Sequence, residues 1–449
     1  PIYTLYVHPK QFDKNKSLSN IARKLATILN KDAEKLEAIF KKQKSGILLS
    51  SRLQEEVADQ ISALRLNGID LRKKFNRYYP YDNLVSDVVG FVNSDRRGQA
   101  GIELSQEKLL ERSMKTVRLS KAGNGALMPD HAPDGFLNFD KLRMQLTIDS
   151  RLQRDARLAL NQQIKKFKAK RGAVIVMDAW DGSILALACS PTYNPNKKFT
   201  KEDYALFRNW AVADLYEPGA TFKPLNVAIA LETGRIRSTE VFNDDGLIKV
   251  ADREIRNAEE NANGRINVAQ ILQTSSNIGM VQIIQRLQPS IYYGWLERLG
   301  LRQKSETDLP FEVTSRLKPQ DEFINSPIEP AAASFGQGFS LTPLQLIQMH
   351  GALANGGRLV TPHVLKGLID DNGQIHKERN LPASRQIFSR KTTQTVLQMM
   401  ESVVNKGSGK AAQIPGYRIA GKTGTAEKAG ATGGYIEGSK ITSFVSILP

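Results

Sequence analysis

Lys223 follows Ala220 by three positions in the stretch Glu217-Pro218-Gly219-Ala220-Thr221-Phe222-Lys223-Pro224. A helix starting just after a Pro-Gly turn places residues i and i+3 on one face. With serine at the first position, that spacing would set a hydroxyl nucleophile beside an amine. A serine hydroxyl is a weak nucleophile near neutral pH. It needs a base within hydrogen-bond reach and donors aimed at the developing oxyanion. A lysine can be that base only if its pKa falls, through desolvation or nearby positive charge. Position 220 is alanine, so the box is complete except for its hydroxyl.

Two more short boxes follow, Ser275-Ser276-Asn277 and Lys422-Thr423-Gly424-Thr425, separated from Ala220 and from each other by 55 and 147 residues. Alone, each is weak. Ser-Ser-Asn reads equally as a polar loop between helices, and Lys-Thr-Gly as common surface residues. In this order and local context they form the Ser-x-x-Lys, Ser-x-Asn and Lys-Thr-Gly set used by serine acyl-transfer enzymes. Lys422 could supply the positive charge that Lys223 requires.

The surrounding pattern suggests how these boxes are held. Val268 to Thr274 is a helical approach to the Ser-Ser-Asn turn, and Tyr417 to Gly421 a strand-like approach to Lys422. Upstream, a helix is predicted from Ser150 to Lys168, with Ser150 as cap and Leu152, Ala156, Leu160 and Ile164 on one face. Ala173–Asp178 and Ser183–Cys189 read as a hairpin joined at Asp181-Gly182. The chain ends on another strand, Ile441 to Leu448.

The first third has a different, mixed character. Ile2 to Val7 is strand-like. Leu18 to Leu29, Ala33 to Phe40 (capped by Asp32) and Arg52 to Leu64 have helical spacing. Gly98 to Glu103 reads as a tight loop, and Lys121 to Asp140 as a linker or extended hairpin. A chain of 449 residues is too long for one ordinary core.

The net charge is +17, of which residues 1–145 carry +8. Basic surface alone admits nucleic acid, an anionic membrane or a cell-wall polymer. No aromatic-basic interleaving, zinc spacing or RNA-binding signature supports nucleic acid. The lone cysteine, Cys189, reads as a buried strand residue, and the five histidines show no metal-ligand spacing. No run of 18 apolar residues is present. The chain starts at Pro1, which leaves room for an N-terminal anchor or signal ahead of it.

From about residue 144 onward the chain resembles the transpeptidase domain of class B penicillin-binding proteins. Besides the three boxes, the matching stretches are Leu146-Thr147-Ile148-Asp149 with Leu152-Gln153, Asn209 ahead of Glu217-Pro218-Gly219, Gly336-Gln337-Gly338 with Thr342-Pro343-Leu344-Gln345, and Asn355-Gly356-Gly357. The first third is similar to that family's non-catalytic pedestal at Arg77-Tyr78-Tyr79-Pro80 and Gly98-Gln99-Ala100-Gly101-Ile102-Glu103. Within class B the cell-division (FtsI) type is the nearest likeness.

The resemblance implies an α+β pedestal (1–145), of the dimerisation type, followed by a transpeptidase domain (146–449). The same resemblance implies that the second domain is an antiparallel sheet flanked by helices. The family pattern continues past Leu448 with a further strand, placed between Ala173–Asp178 and Ile441–Leu448, and a closing helix. On that pattern this chain is short by both, leaving strand edges unpaired. The implied reaction is peptidoglycan D,D-transpeptidation in septal wall synthesis. Position 220 would carry the nucleophile, and Lys223 would take its proton. Ser275 and Lys422 would relay a proton to the departing D-Ala, and Asn277 would hold Lys223 and the substrate backbone. Thr423, Gly424 and Thr425 would bind the terminal carboxylate region, and the amides of residues 220 and 425 would form the oxyanion hole. No cofactor and no metal are implied. The implied partners are peptidoglycan stem peptides, β-lactam antibiotics, a membrane glycosyltransferase and divisome proteins. The implied location is the extracytoplasmic face of the plasma membrane, with the anchor outside this chain.

Ala220 departs from that pattern. Without the hydroxyl no acyl-enzyme can form there, so the chain as written is expected to be silent. Retention of Lys223, Asn277 and Lys422 favours a single, recent or engineered Ser→Ala change over a pseudoenzyme. Other readings are a non-catalytic scaffold for stem peptides or division partners, and an elongation-type class B transpeptidase. A β-lactamase is disfavoured by the absence of a Glu-x-x-Leu-Asn segment, and a β-lactam-sensing receptor domain by the large first region.

Overall fold

The computed structural model describes residues 2–111, 120–121, 127–128, 142–378, 380–430 and 434–448. Backbone contacts divide the chain into two compact units. One is Pro1–Pro80 with Val92–Arg97, and the other is Tyr81–Phe91 with Gly98–Pro449.

In the smaller unit, Ile2–Val7 is the central strand of a three-stranded antiparallel sheet, between Ile47–Gln54 and Ile69–Lys74. Leu5 and Val7 point to one face and are fully buried. The helices Leu18–Leu29 and Ala33–Lys42 contribute Ile21, Leu25, Leu36 and Phe40 to the same core. Asp32 caps the second helix as expected, accepting from the Glu34 and Lys35 amides. The helical run expected over Arg52–Leu64 is shorter: Arg52–Gln54 ends a strand, and the helix is Glu55–Ala63. Leu53 is buried opposite Tyr3, so sheet pairing overrides helical spacing there.

In the larger unit, Gly98–Glu103 is not all loop. Gly101, at φ +56°, starts a short helix to Ser105. A side chain at Gly101 would lie 2.4 Å from the Val88 carbonyl, which only glycine avoids. Of the stretch Lys121–Asp140, expected as a linker or extended hairpin, the start is paired: Ser120–Lys121 with Leu127–Met128. The remainder lies outside the described residues.

The predicted long helix spans Ser150–Phe167, but its cap is Asp149, whose carboxylate reaches the Arg151 and Leu152 amides. The buried face also differs from the expected one. Ala156 and Leu160 are joined by Gln153 and Arg157, while Leu152 and Ile164 are only partly buried. Gln153 exchanges two hydrogen bonds with the Leu187 backbone at 2.8 Å. Arg157 donates to the Cys189 carbonyl and pairs with buried Asp87. These bonds fasten the helix to the strand Ile184–Ser190. That strand forms the expected hairpin with Gly172–Met177, with Cys189 buried in it.

A second antiparallel hairpin pairs Ala420–Ala429 with Tyr435–Ile447. Its first strand begins only at Ala420, so Tyr417–Ile419 lead in without pairing. Among the described residues the two hairpins share no ladder. Between them lies a cavity of about 2190 Å³ whose lining includes Ala173, Ile175, Lys440 and Phe444. The main core surrounds the helix Lys223–Glu232 and is filled by Phe222, Leu225, Ile229, Met280, Ile283, Leu296, Met349, Met400 and Val403. This helix is buried on nearly every side, Lys223 and Asn226 included, the mark of an element enclosed by others.

Candidate active site

Gly219–Phe222 is a 3-10 turn that runs directly into the helix Lys223–Glu232. In a 3-10 turn, residues i and i+3 eclipse. Ala220 and Lys223 therefore align more closely than α-helical spacing alone requires, and the Lys223 amide bonds to the Ala220 carbonyl. Pro224 occupies the first helical turn, where its missing N–H costs nothing. The Gly219 amide donates to the Gly336 carbonyl at 3.0 Å. A Cβ at Gly336 (φ +82°) would lie 2.0 Å from the Gly219 carbonyl oxygen, so only glycine permits this approach. On its other side the turn rests on the Ala420–Ala429 strand, where a Cβ at Gly424 would meet the Thr221 methyl at 2.7 Å. Ala220 itself remains half-buried.

The second box is a hinge between two helices. Ser275 takes the left-handed conformation, φ +56°, and ends Val268–Thr274. Ser276 then caps Asn277–Ile284 by accepting from the Gly279 amide at 2.9 Å. This aims the Ser275 hydroxyl and the Asn277 amide at Lys223. Lys223 Nζ donates to the Ser275 carbonyl (2.6 Å), to Asn277 Oδ1 (2.8 Å) and to Ser275 Oγ (3.2 Å). Lys422 Nζ approaches from the strand and donates to Ser275 Oγ (3.1 Å) and the Thr423 carbonyl (3.0 Å). All three boxes thus meet at one serine.

Neither lysine is exposed by more than 1%. Burial pushes the Lys223 ammonium well below the ordinary lysine range; Lys422's charge adds to the fall, and Asp244's carboxylate opposes it. Burial alone lowers Lys422 to about 8. A depressed amine can accept a proton near neutrality, which an ordinary surface lysine cannot. Thr423 is partly buried and its hydroxyl lies 3.0 Å from that of Ser408. Gly424 is buried and Thr425 is exposed.

Sequence reasoning missed four contributors. Asp244 and Asn257 form a buried network behind Ser276 and Asn277. Their only sequence signal is the Asp244-Asp245-Gly246 turn. Glu217 accepts from the Gly338 amide and from the Tyr435 hydroxyl at 2.9 Å. His350 is buried on the helix Pro343–Ala354 and bonds the Thr221 carbonyl at 2.9 Å. Among the described residues no group of three or more His, Cys, Asp or Glu side chains is arranged to hold a metal.

Family comparison accounts for the convergence. Residues 172–449 match the penicillin-binding protein transpeptidase domain, and residues 1–128 match the penicillin-binding protein dimerisation domain. The chain belongs to the penicillin-binding protein transpeptidase family. This transpeptidase-family chain is 41% identical to the peptidoglycan D,D-transpeptidase FtsI homolog of Mesostigma viride, over all of this chain and 78% of that protein. It is 32% identical to peptidoglycan D,D-transpeptidase FtsI of Escherichia coli K12, over 97% of this chain and 72% of that protein. It also shares its fold with penicillin-binding protein 3 of Mycobacterium tuberculosis, with a TM-score of 0.72 and 28% identity, covering 85% of this chain and 81% of that one. That protein has also been solved with ampicillin and with aztreonam bound.

Proposed function

We propose that this chain is a peptidoglycan D,D-transpeptidase of the FtsI type, built for septal cross-linking and sensitive to β-lactams, with its nucleophile position occupied by Ala220. The observation that carries this reading is Ser275 Oγ held between Lys223 and Lys422, with Ala220 eclipsing Lys223 on the preceding turn.

With serine at 220, the hydroxyl would pass its proton to neutral Lys223 as its oxygen attacks the penultimate D-Ala carbonyl. The amides of residues 220 and 425 would hold the oxyanion. Collapse breaks the amide C–N bond, and the proton reaches the departing D-Ala nitrogen through Ser275 and Lys422. An acceptor amine from a second stem peptide then takes the acyl group and frees the serine. Asn277 orients Lys223 and the substrate backbone, while Thr423, Gly424 and Thr425 receive the terminal carboxylate. A β-lactam would enter the first half and stall as an ester. As written, Ala220 stops the cycle before acylation. Loss of a serine nucleophile costs on the order of 10⁶ in turnover in another serine enzyme.

In this reading residues 1–145 are a non-catalytic pedestal and 146–449 the transpeptidase domain, supported by the two family matches. The same reading places the chain at the extracytoplasmic membrane face beside a glycosyltransferase and division proteins. Among the described residues no helix is long and apolar enough to cross a membrane.

The test is intact-mass analysis after incubation with a penicillin, for this chain and for Ala220→Ser. A penicilloyl adduct on the variant alone supports the reading. No adduct on either overturns it in favour of the second reading, a stem-peptide-binding scaffold, which Ala220 itself motivates.

A further inference from the structure

Asp244 ends the strand Val241–Asp244 and is fully buried. Among the described residues it has no Lys, Arg or His ion-pair partner, yet four neutral donors reach its two oxygens. Its oxygens accept from the Ser276 hydroxyl and the Asn263 amide at 2.6 Å, and from the Asn257 amide and the Gly246 N–H at 2.9 Å. Burial works against the charge, but the bonds from Asn263, Ser276, Gly246 and Asn257 outweigh it and hold the carboxyl below its ordinary range.

The donors are not arbitrary. Ser276 is the middle residue of the Ser-Ser-Asn box. Asn257 turns its other atom, Oδ1, to accept from the Asn277 N–H at 2.8 Å. One buried carboxylate therefore grips the box at Ser276 directly and at Asn277 through Asn257. The two residues aimed at Lys223, Ser275 and Asn277, flank the one that it holds.

We propose that Asp244 is a positioning residue for the acyl-transfer site. It locks the 275–277 turn against Lys223 and sets a buried negative charge directly behind Ser275 and Asn277, the two groups that bond the lysine. The inference rests on the reading of Lys223 as the base. Two charged groups act on Lys223 across the core: Lys422 from the Ala420–Ala429 strand and Asp244 from the Val241–Asp244 strand, and they act in opposite senses. Ser275 and Asn277, which touch it, are uncharged. Around Asp244, Asp245, Arg265 and the Arg256–Glu254 pair are all exposed and screened by solvent. Balance matters because a base too strongly depressed takes protons poorly, while one insufficiently depressed stays charged.

The first test follows Lys223 in this chain by NMR of isotope-labelled lysine, assigned with Lys223→Arg. Asp244→Asn is expected to move the Lys223 titration midpoint downward, because a negative neighbour is lost. An unmoved midpoint in a folded variant overturns the electrostatic part. Should Asp244→Asn fail to fold, Ser276→Ala tests the positioning part, since it cuts the direct grip on the turn and leaves both the charge and the Asn257 link to Asn277 in place. In the Ala220→Ser background Ser276→Ala is expected to lower the penicillin acylation constant at least about tenfold, with the pH at half-maximal rate unchanged. Parental acylation in Ser276→Ala overturns the positioning part. If Ala220→Ser is never acylated, the transpeptidase reading fails, while the Lys223 midpoint still decides the role of Asp244.

Discussion

Lys223 and Lys422 donate to the same oxygen, Ser275 Oγ, at 3.2 and 3.1 Å. One hydroxyl thus links two buried amines supplied by elements 199 residues apart in sequence. A hydroxyl can accept twice and donate once, so Ser275 can receive both lysines and still pass a proton. Replacing Ser275 with Ala in the Ala220→Ser background should therefore slow acylation by about 10²–10⁴-fold. Stopped-flow acylation with a chromogenic β-lactam measures this. Because each buried lysine loses one acceptor, stability should fall as well, by about 1–3 kcal/mol.

Charge removal at Lys422 should shift the pH profile in a defined direction. Burial lowers Lys223 first, and the Lys422 charge lowers it further. Without that charge Lys223 holds its proton more tightly and is neutral only at higher pH. Lys422→Gln in the Ala220→Ser background should move the acidic limb of the acylation rate to higher pH, opposite to the move expected for Asp244→Asn. An acylation profile from pH 5 to 10 distinguishes the two signs.

His350 makes stability pH-dependent. Burial lowers its pKa from 6.5 to about 4, and the bond to the Thr221 carbonyl opposes this only in part. The folded state keeps the ring neutral with the proton on Nε2, while Nδ1 has no partner. Between pH 6.5 and 4 the unfolded chain binds the proton that the folded chain refuses. Stability should be unaffected above that window and should fall as pH drops through it, by about 3 kcal/mol in all. Urea unfolding at pH 7.5 and 4.5 should show this loss, and His350→Gln should remove that component.

Asp87 and Arg157 form the buried ion pair that ties the Ser150–Phe167 helix to the 81–91 segment. Burial raises the Asp87 pKa, and Arg157 counteracts it. Arg157→Met would strand the carboxylate and should cost about 3–5 kcal/mol. A stranded carboxyl prefers to be protonated, so the loss should be largest at pH 8 and shrink toward pH 5. The double variant Asp87→Asn/Arg157→Met should recover part of it. Chemical denaturation at both pH values checks each statement.

Local signals were legible wherever chemistry is local. Asp32 reads as a cap because a side-chain oxygen reaches amides two and three residues on, within one turn. The hairpin over 172–190 reads from its apolar runs and its Asp181-Gly182 turn. Errors fell where distant chains intervene. Arg52–Gln54 has helical spacing but pairs with the N-terminal strand. The buried face of Ser150–Phe167 includes Gln153 and Arg157 because backbone carbonyls and Asp87 await them.

The sequence by itself determined the three boxes, the missing hydroxyl at 220 and the family, because residue types and their order along the chain are enough to state them. Only the tertiary structure decided that Lys223, Lys422 and Asn277 meet at Ser275, that both lysines are desolvated, and that Asp244 stands behind the turn. Desolvation and through-space charge depend on what surrounds a group in three dimensions, and 32 residues of chain separate Asp244 from the serine it holds.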